Sequence, residues 1–161
     1  MVAKNMKRIK GSGSVPGVGI GIMILDDEGK VLLILRNNDV KKADSLMRLE
    51  GTWTFPAGKV KYGETIYEAA IRKVKQEVNL DVKNLKIISI SDDINDYAHF
   101  VTIGLVCTKF GGEISLGNSG EHTSYKFFDI NDLPQNLCMP SKNIVNNYKN
   151  NIIYKGADLN E

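Results

Sequence analysis

Residues 64–80, "ETIYEAAIRKVKQEVNL", specify a helix with both ends marked, and this segment limits the fold more than any other. Thr65 followed three residues later by Glu68 has capping-box spacing, in which side chain and backbone satisfy each other at a helix start. Ile66, Ala69, Ala70, Val74 and Val78 recur at helical spacing and make one apolar stripe. Asn79 suits the C-terminus, because asparagine tolerates the left-handed backbone that ends helices. Such a stripe has to be buried against a second layer.

The flanking segments supply that layer. Val18 to Leu25 and Val31 to Leu35 are near-continuous apolar runs, and Asp26-Asp27-Glu28-Gly29 between them is turn chemistry. Together they predict a β-hairpin. Gly17, Gly19 and Gly21 alternate along the first run. Their spacing is not that of a dinucleotide fingerprint, and glycine on one strand face marks close approach of a ligand or another backbone. Asn37 to Gly51 is polar and charged, long enough for a functional surface loop. Trp53, Thr54 and Phe55 are β-prone until Pro56 ends them, and Trp53 and Phe55 read as core residues. Leu85 to Ile90, Phe100 to Val106 and Tyr125 to Phe128 predict three more strands. Asp92, Asp93 and Asp96 read as an acidic turn. Pro140-Ser141 opens a last helix with Ile144, Val145 and Tyr148 on one face. Strands, helix, strands, helix is the order of an α+β domain. We expect residues 1–15 to be a disordered basic and Gly/Ser tail, and residues 16–161 to form one domain.

Composition narrows the function classes. A net charge of +2 gives no global field that would point to nucleic acid or an anionic membrane. No apolar stretch approaches the roughly 18 residues that span a bilayer. Two cysteines, Cys107 and Cys138, make no disulfide framework, and the default expectation is a reducing cytoplasm. No zinc spacing and no nucleophile with histidine and acid can be read from the chain.

The specific signal lies in residues 58–80, "GKVKYGETIYEAAIRKVKQEVNL". It resembles the Nudix box, G-x5-E-x7-R-E-U-x-E-E-x-G-U with U aliphatic. Gly58, Glu64, Arg72, Val74, Glu77 and Leu80 match, while Lys73, Gln76 and Asn79 depart. The flanks "WTFPAGKVKYGE" and "EHTSYKFFDINDLP" are similar to the segments that border the box in that family. The hairpin "PGVGIGIMIL" and the strand "YAHFVTIGLV" resemble a MutT-like subgroup of nucleoside triphosphate diphosphatases. The resemblance spans about residues 16–135. It implies a Nudix fold, a mixed β-sheet sandwiched between α-helices.

For function, the resemblance implies hydrolysis of nucleoside diphosphates linked to another group, with nucleoside triphosphate cut to monophosphate and pyrophosphate. It implies Mg²⁺ or Mn²⁺ as cofactor. Hard cations take oxygen ligands, and they neutralise phosphate charge as a pyrophosphate bond breaks. A helix presents such ligands economically: positions 73, 76 and 77 fall within an arc of about 100°. In the family all three are glutamate. Here Lys73, Gln76 and Glu77 bring the summed charge of that face to zero, and Lys73 and Glu77 can pair at i, i+4.

Carried over residue by residue, the resemblance makes Glu77, Glu121, Arg72 and Glu64 the catalytic set, with Gly58, Glu77, Gln76 and Glu121 around the metal. Glu121 is read as metal ligand or general base, or else as a loop charge. Glu64 would orient Arg72, and Arg72 is expected to be structural. Arg36 and Lys59 are candidates for phosphate, and His99 and Phe55 for the base, since aromatic faces stack on bases. His122 is expected to pack or cap. Expected partners are a nucleotide-type small molecule, with no membrane and no nucleic acid; a homodimer is left open. The competing reading is a binding module that holds a nucleotide or nucleotide sugar without cleaving it.

Overall fold

The computed structural model describes residues 15–156. The predicted tail, apart from Val15, and residues 157–161 of the predicted domain lie outside the described residues. In chain order the elements are β1 (Gly17–Ile24), β2 (Val31–Arg36), α1 (Val40–Ala43), β3 (Trp53–Thr54), β4 (Ala57–Lys59), α2 (Ile66–Val78), β5 (Asp81–Lys83), β6 (Lys86–Ile94), β7 (His99–Cys107), β8 (Lys109–Gly111), β9 (His122–Phe128) and α3 (Met139–Asn150). The strands form a four-stranded sheet β4-β1-β7-β6, a three-stranded sheet β3-β2-β9 and a two-stranded pair β5-β8. The class is α+β, as expected.

The near-continuous apolar runs are explained by burial on both faces. Ile20, Ile22 and Ile24 of β1 and Leu32 and Ile34 of β2 pack with Ala69, Ala70, Val74 and Val78 of α2. The alternate residues Met23, Leu25, Val31 and Leu33 pack with Phe55, Ile144 and Val145 on the α3 side. Alternation of side chains along a strand sorts the two sets, so the sheet layer lies between α2 and α3.

The predicted hairpin does not form as a ladder. Its two strands touch through the single antiparallel bridge Leu25↔Val31 and then part into different sheets. Both edges of β1 are already taken: β7 pairs with it in parallel from Gly17↔Phe100 to Ile24↔Cys107, and β4 pairs antiparallel on the other side. Asp92 and Asp93 also differ from expectation, lying within β6 rather than in a turn. Asp93 is buried and accepts from Asn143 Nδ2 at 2.7 Å, which satisfies its carboxylate there.

The box helix follows its sequence closely. Thr65 accepts from the Glu68 N–H while the Glu68 carboxylate accepts from the Thr65 N–H, completing the capping box. Asn79 ends the helix at φ 61° in the left-handed region.

Candidate active site

A cleft of about 540 Å³ runs along the β4 edge, from the α2 side of the sheet to the α3 side. Its polar wing includes Arg36, Lys61, Arg72, Lys73, Gln76 and Glu121; its apolar wing includes Leu46, Met47, Leu49, Phe100, Pro140 and Ile144. The polar wing is assembled from α2, the β4 loop and the meeting of β2 with β9. A register shift between Leu35 and Arg36 breaks the β2–β9 ladder there. A bulge of this kind re-aims side chains; Thr123 is the extra residue, Arg36 and His122 pair just beyond it, and Glu121 comes next.

The rim of the cleft is an ion pair with many partners. The Arg72 Nε donates to Glu64 Oε1, and its Nη2 donates to Glu64 Oε2 at 2.9 Å and to the Lys59 carbonyl at 3.0 Å. Its Nη1 reaches Gln76 Oε1 at 3.3 Å. The Lys61 N–H closes the arrangement on Glu64 Oε2 at 2.8 Å. Arg72 thereby ties the helix to the loop that carries Gly58. The guanidinium of Arg72, aided by the Lys61 N–H, holds the Glu64 carboxyl down at about 2.

The floor is different. Glu77 is only 4% exposed; its Oε2 accepts from the Ala57 N–H at 3.0 Å. Its Oε1 lies 3.0 Å from Lys73 Nζ, yet the oxygen has no hydrogen-bond partner. The contact is therefore one of charge without hydrogen-bond alignment. Burial pushes the Glu77 carboxyl up from its ordinary value, with Lys73 and the Ala57 N–H opposing that rise. Against the bare backbone of Gly58 lies the Lys73 stem: a β-carbon there would strike its Cγ, Cδ and Cε.

Glu121 Oε1 accepts from Arg36 Nη1 at 3.1 Å, and the same nitrogen donates to the Ala43 carbonyl at 2.9 Å. His122 is 8% exposed and its Nε2 has no partner. Burial, with Arg36 and Lys73 nearby, lowers the His122 pKa to about 3, so the ring is neutral at physiological pH. Ligand atoms of Glu77, Glu121 and His122 lie within 4.8 Å of one another. This donor set, with one orphaned buried carboxylate oxygen, fits a divalent ion of the Mg²⁺ or Mn²⁺ kind through its carboxylates. Gln76, whose oxygen is turned to Arg72, and Lys73 do not add to it.

The cleft thus brings together Gly58, Lys59, Arg72, Gln76, Arg36 and Glu121 from the sequence reading, with Glu64 and Glu77 bonded to its walls. It leaves out two residues. Phe55 is fully buried with Met23, Leu33 and Leu137 and cannot meet a base, as its other reading as core required. His99 does not line the cleft, whereas its neighbour Phe100 does. Successive strand residues face opposite ways, so the aromatic face belongs to the next position along. Lys59 sits with its ammonium 5.6 Å from the centre of the Phe100 ring. Phe100 and Thr102 carry no motif of their own, although their period-two spacing opposite Gly17 and Gly19 signals them. His122, expected to pack or cap, stands beside the acids, and its adjacency to Glu121 is the signal for that place.

The NUDIX domain family model matches residues 15–148. The chain is 32% identical over 127 residues to an ADP-ribose pyrophosphatase of Methanocaldococcus jannaschii, covering 78% of this chain and 69% of that protein. Other curated relatives are longer, and the chain spans 23% to 37% of them. The fold is similar to the crystal structure of a MutT NUDIX hydrolase from Burkholderia pseudomallei, with TM-score 0.72 and 26% identity, covering 83% of this chain and 98% of that one. It is also similar to a MutT protein structure from Methanosarcina mazei Go1, with TM-score 0.70 and 18% identity, covering 87% of this chain and 96% of that one. No helix of the described residues is long and apolar enough to cross a membrane. Box, fold and family match agree: the chain belongs to the NUDIX family, among its MutT-like hydrolases.

Proposed function

We propose that this chain is a pyrophosphohydrolase acting on a nucleoside diphosphate linked to another group, with a nucleoside triphosphate cut to monophosphate and pyrophosphate as its reaction. The observation that carries the reading is the buried Glu77 carboxylate, a ligand atom of which lies within 4.8 Å of Glu121 and His122 at the floor of a cleft with basic walls. A divalent ion, Mg²⁺ or Mn²⁺, would be held by Glu77 and Glu121, with the Gly58 carbonyl as the further candidate; the oxygen of Gln76, expected among the ligands, is taken by Arg72. When bound it would supply charge neutralisation on the phosphates.

The chain's own residues divide the remaining work. Arg36 holds Glu121 in the cleft and adds positive charge near it. Lys59 and Lys61 offer ammonium groups to the phosphates. If released from Arg36 and not taken up by the metal, the Glu121 carboxylate would act as the general base that accepts a proton from attacking water. Arg72 and Glu64 fix the shape of the loop rather than touch substrate. Phe100, which lines the cleft and packs with Met47 and Leu49, takes the role of base platform expected of His99 and Phe55.

The binding-module reading also has a specific observation behind it. Lys73 lies on the Glu77 oxygen, and Gln76 brings no charge. One experiment separates the two: phosphate and pyrophosphate release from a panel of nucleoside triphosphates and ADP-ribose, with Mg²⁺, with Mn²⁺ and with chelator. The expected result is metal-stimulated hydrolysis of one class. The Lys73→Glu, Gln76→Glu variant should be at least about tenfold faster, equal to about 1.4 kcal/mol of barrier. A folded variant that binds metal more tightly with no gain in rate would replace the enzyme with the binding module.

A further inference from the structure

We propose that the Lys73 ammonium is a cation fixed inside the cleft, taking up one oxygen of Glu77 where a second divalent ion would otherwise bind and lending its charge to the diphosphate of a bound nucleotide. This rests on the reading of the cleft as a diphosphate site.

Three features carry it. First, the side chain is held at both ends. Its stem lies on Gly58, where a β-carbon would collide with it, and its Nζ is 3.0 Å from Glu77 Oε1. Only 16% of the Lys73 side chain is exposed, against 4% for Glu77, so this is no solvated surface pair. Second, helix stabilisation does not explain the pair. A lysine four residues ahead of a glutamate has the weaker order for helix support, with the charges opposed to the helix dipole. Third, the ammonium is not used up. Its one close contact is Glu77 Oε1 at 3.0 Å, and among the described residues Lys73 makes no other side-chain contact of this kind. The ion pair takes one of its three donor directions, and two remain for an incoming oxyanion, which lysine meets as a point charge.

The rest of the helix face leaves little that would gather several metal ions. Gln76 is neutral and its oxygen accepts from Arg72, while Glu121 is engaged by Arg36. Lys73 balances Glu77, so the floor offers no net negative charge to a second cation. A tethered ammonium cannot dissociate, and the cleft then carries part of its phosphate-binding charge without metal.

The test uses the full chain and the variants Lys73→Met, which keeps the stem and removes the charge, and Lys73→Arg, which keeps the charge. In one arm Mn²⁺ alone is titrated by paramagnetic resonance. Lys73→Met should bind it at least about tenfold more tightly than wild type. In the other arm ADP is titrated calorimetrically in excess chelator. Wild type and Lys73→Arg should bind, and Lys73→Met should lose at least about tenfold in affinity. Circular dichroism confirms that each variant is folded. Folded Lys73→Met with unchanged Mn²⁺ and ADP affinities would overturn the proposal, and so would weaker Mn²⁺ binding. No ADP binding by any variant, with no hydrolysis in the substrate panel, would instead remove the diphosphate reading, while the Mn²⁺ arm alone would still decide whether Lys73 holds the position of a metal.

Discussion

Arg72 of the rim and Glu77 of the floor stand on the same helix, five residues apart, yet rim and floor handle charge in opposite ways. At the rim, Glu64 and Arg72 satisfy each other and the loop backbone through several bonds. At the floor, Glu77 is more deeply buried, keeps one oxygen unbonded and faces an ammonium that is not aligned with it. The rim carboxyl is held far down by its partner, and the floor carboxyl is pushed up by burial. A carboxylate whose charge is favoured in the fold is there to hold structure. One whose charge is disfavoured is there for something that arrives later.

The sharpest way to break this contrast is Glu77→Gln. The amide still accepts from the Ala57 N–H, so the fold keeps that bond. Neutralising Glu77 relieves the cost of its burial but leaves the Lys73 ammonium uncompensated, so the thermal midpoint should change little at neutral pH. Mn²⁺ affinity and hydrolysis should both fall by at least about a hundredfold. A clear drop in the midpoint with metal binding intact would make the floor another structural pair.

Arg72→Ala is the opposite case. It releases Glu64, the Lys59 carbonyl and Gln76 together, and should cost about 1–3 kcal/mol in chemical denaturation. Activity should fall with the disordered loop, and Arg72→Lys should recover little, since one ammonium cannot bridge the same partners. Unchanged stability with loss of nucleotide affinity alone would move Arg72 from scaffold to ligand site.

The smallest effect is a pH dependence. Glu64 has a carboxyl at about 2 in the fold, against an ordinary 4.5. Its contribution to stability is therefore fully present above about pH 4.5 and is lost as the pH falls toward 2. The stability difference between wild type and Glu64→Gln should shrink across that window in urea titrations. A difference that stays constant would show that the rim pair does not favour the charged form.

Much of this was legible in the sequence because the relevant signals are local. The box helix, with its cap, stripe and terminator, needs no partner to be recognised, and Lys73, Gln76 and Glu77 follow from its period. The arrangement of the strands was less so. The two runs around Asp26–Gly29 read as a hairpin because nearness in sequence was the available cue, while β7 and β4 claim both edges of β1. The short strands β5 and β8 pair only with each other, across a long intervening segment, and neither has a run of its own to signal it. Facing was the finest failure. Choosing His99 over Phe100 is a one-residue error, and in a strand one residue exchanges the two sides. Glu121 was found by resemblance, but its hold by Arg36 depends on a bulge that no local pattern announces.

The full-length parallel pairing of β1 with β7 also sets how the chain must come together in time. Phe100, the partner of Gly17, follows it by roughly 80 positions, so β1 is synthesised long before its main neighbour exists. Pairing across such a separation closes a large loop before any contact compensates, and folding of this kind is slow, on the order of milliseconds to seconds. During that interval an apolar strand with open edges is a template for association with other chains. The last strand to reach β1, more than the helix that carries the chemistry, governs when this protein is safe from aggregation.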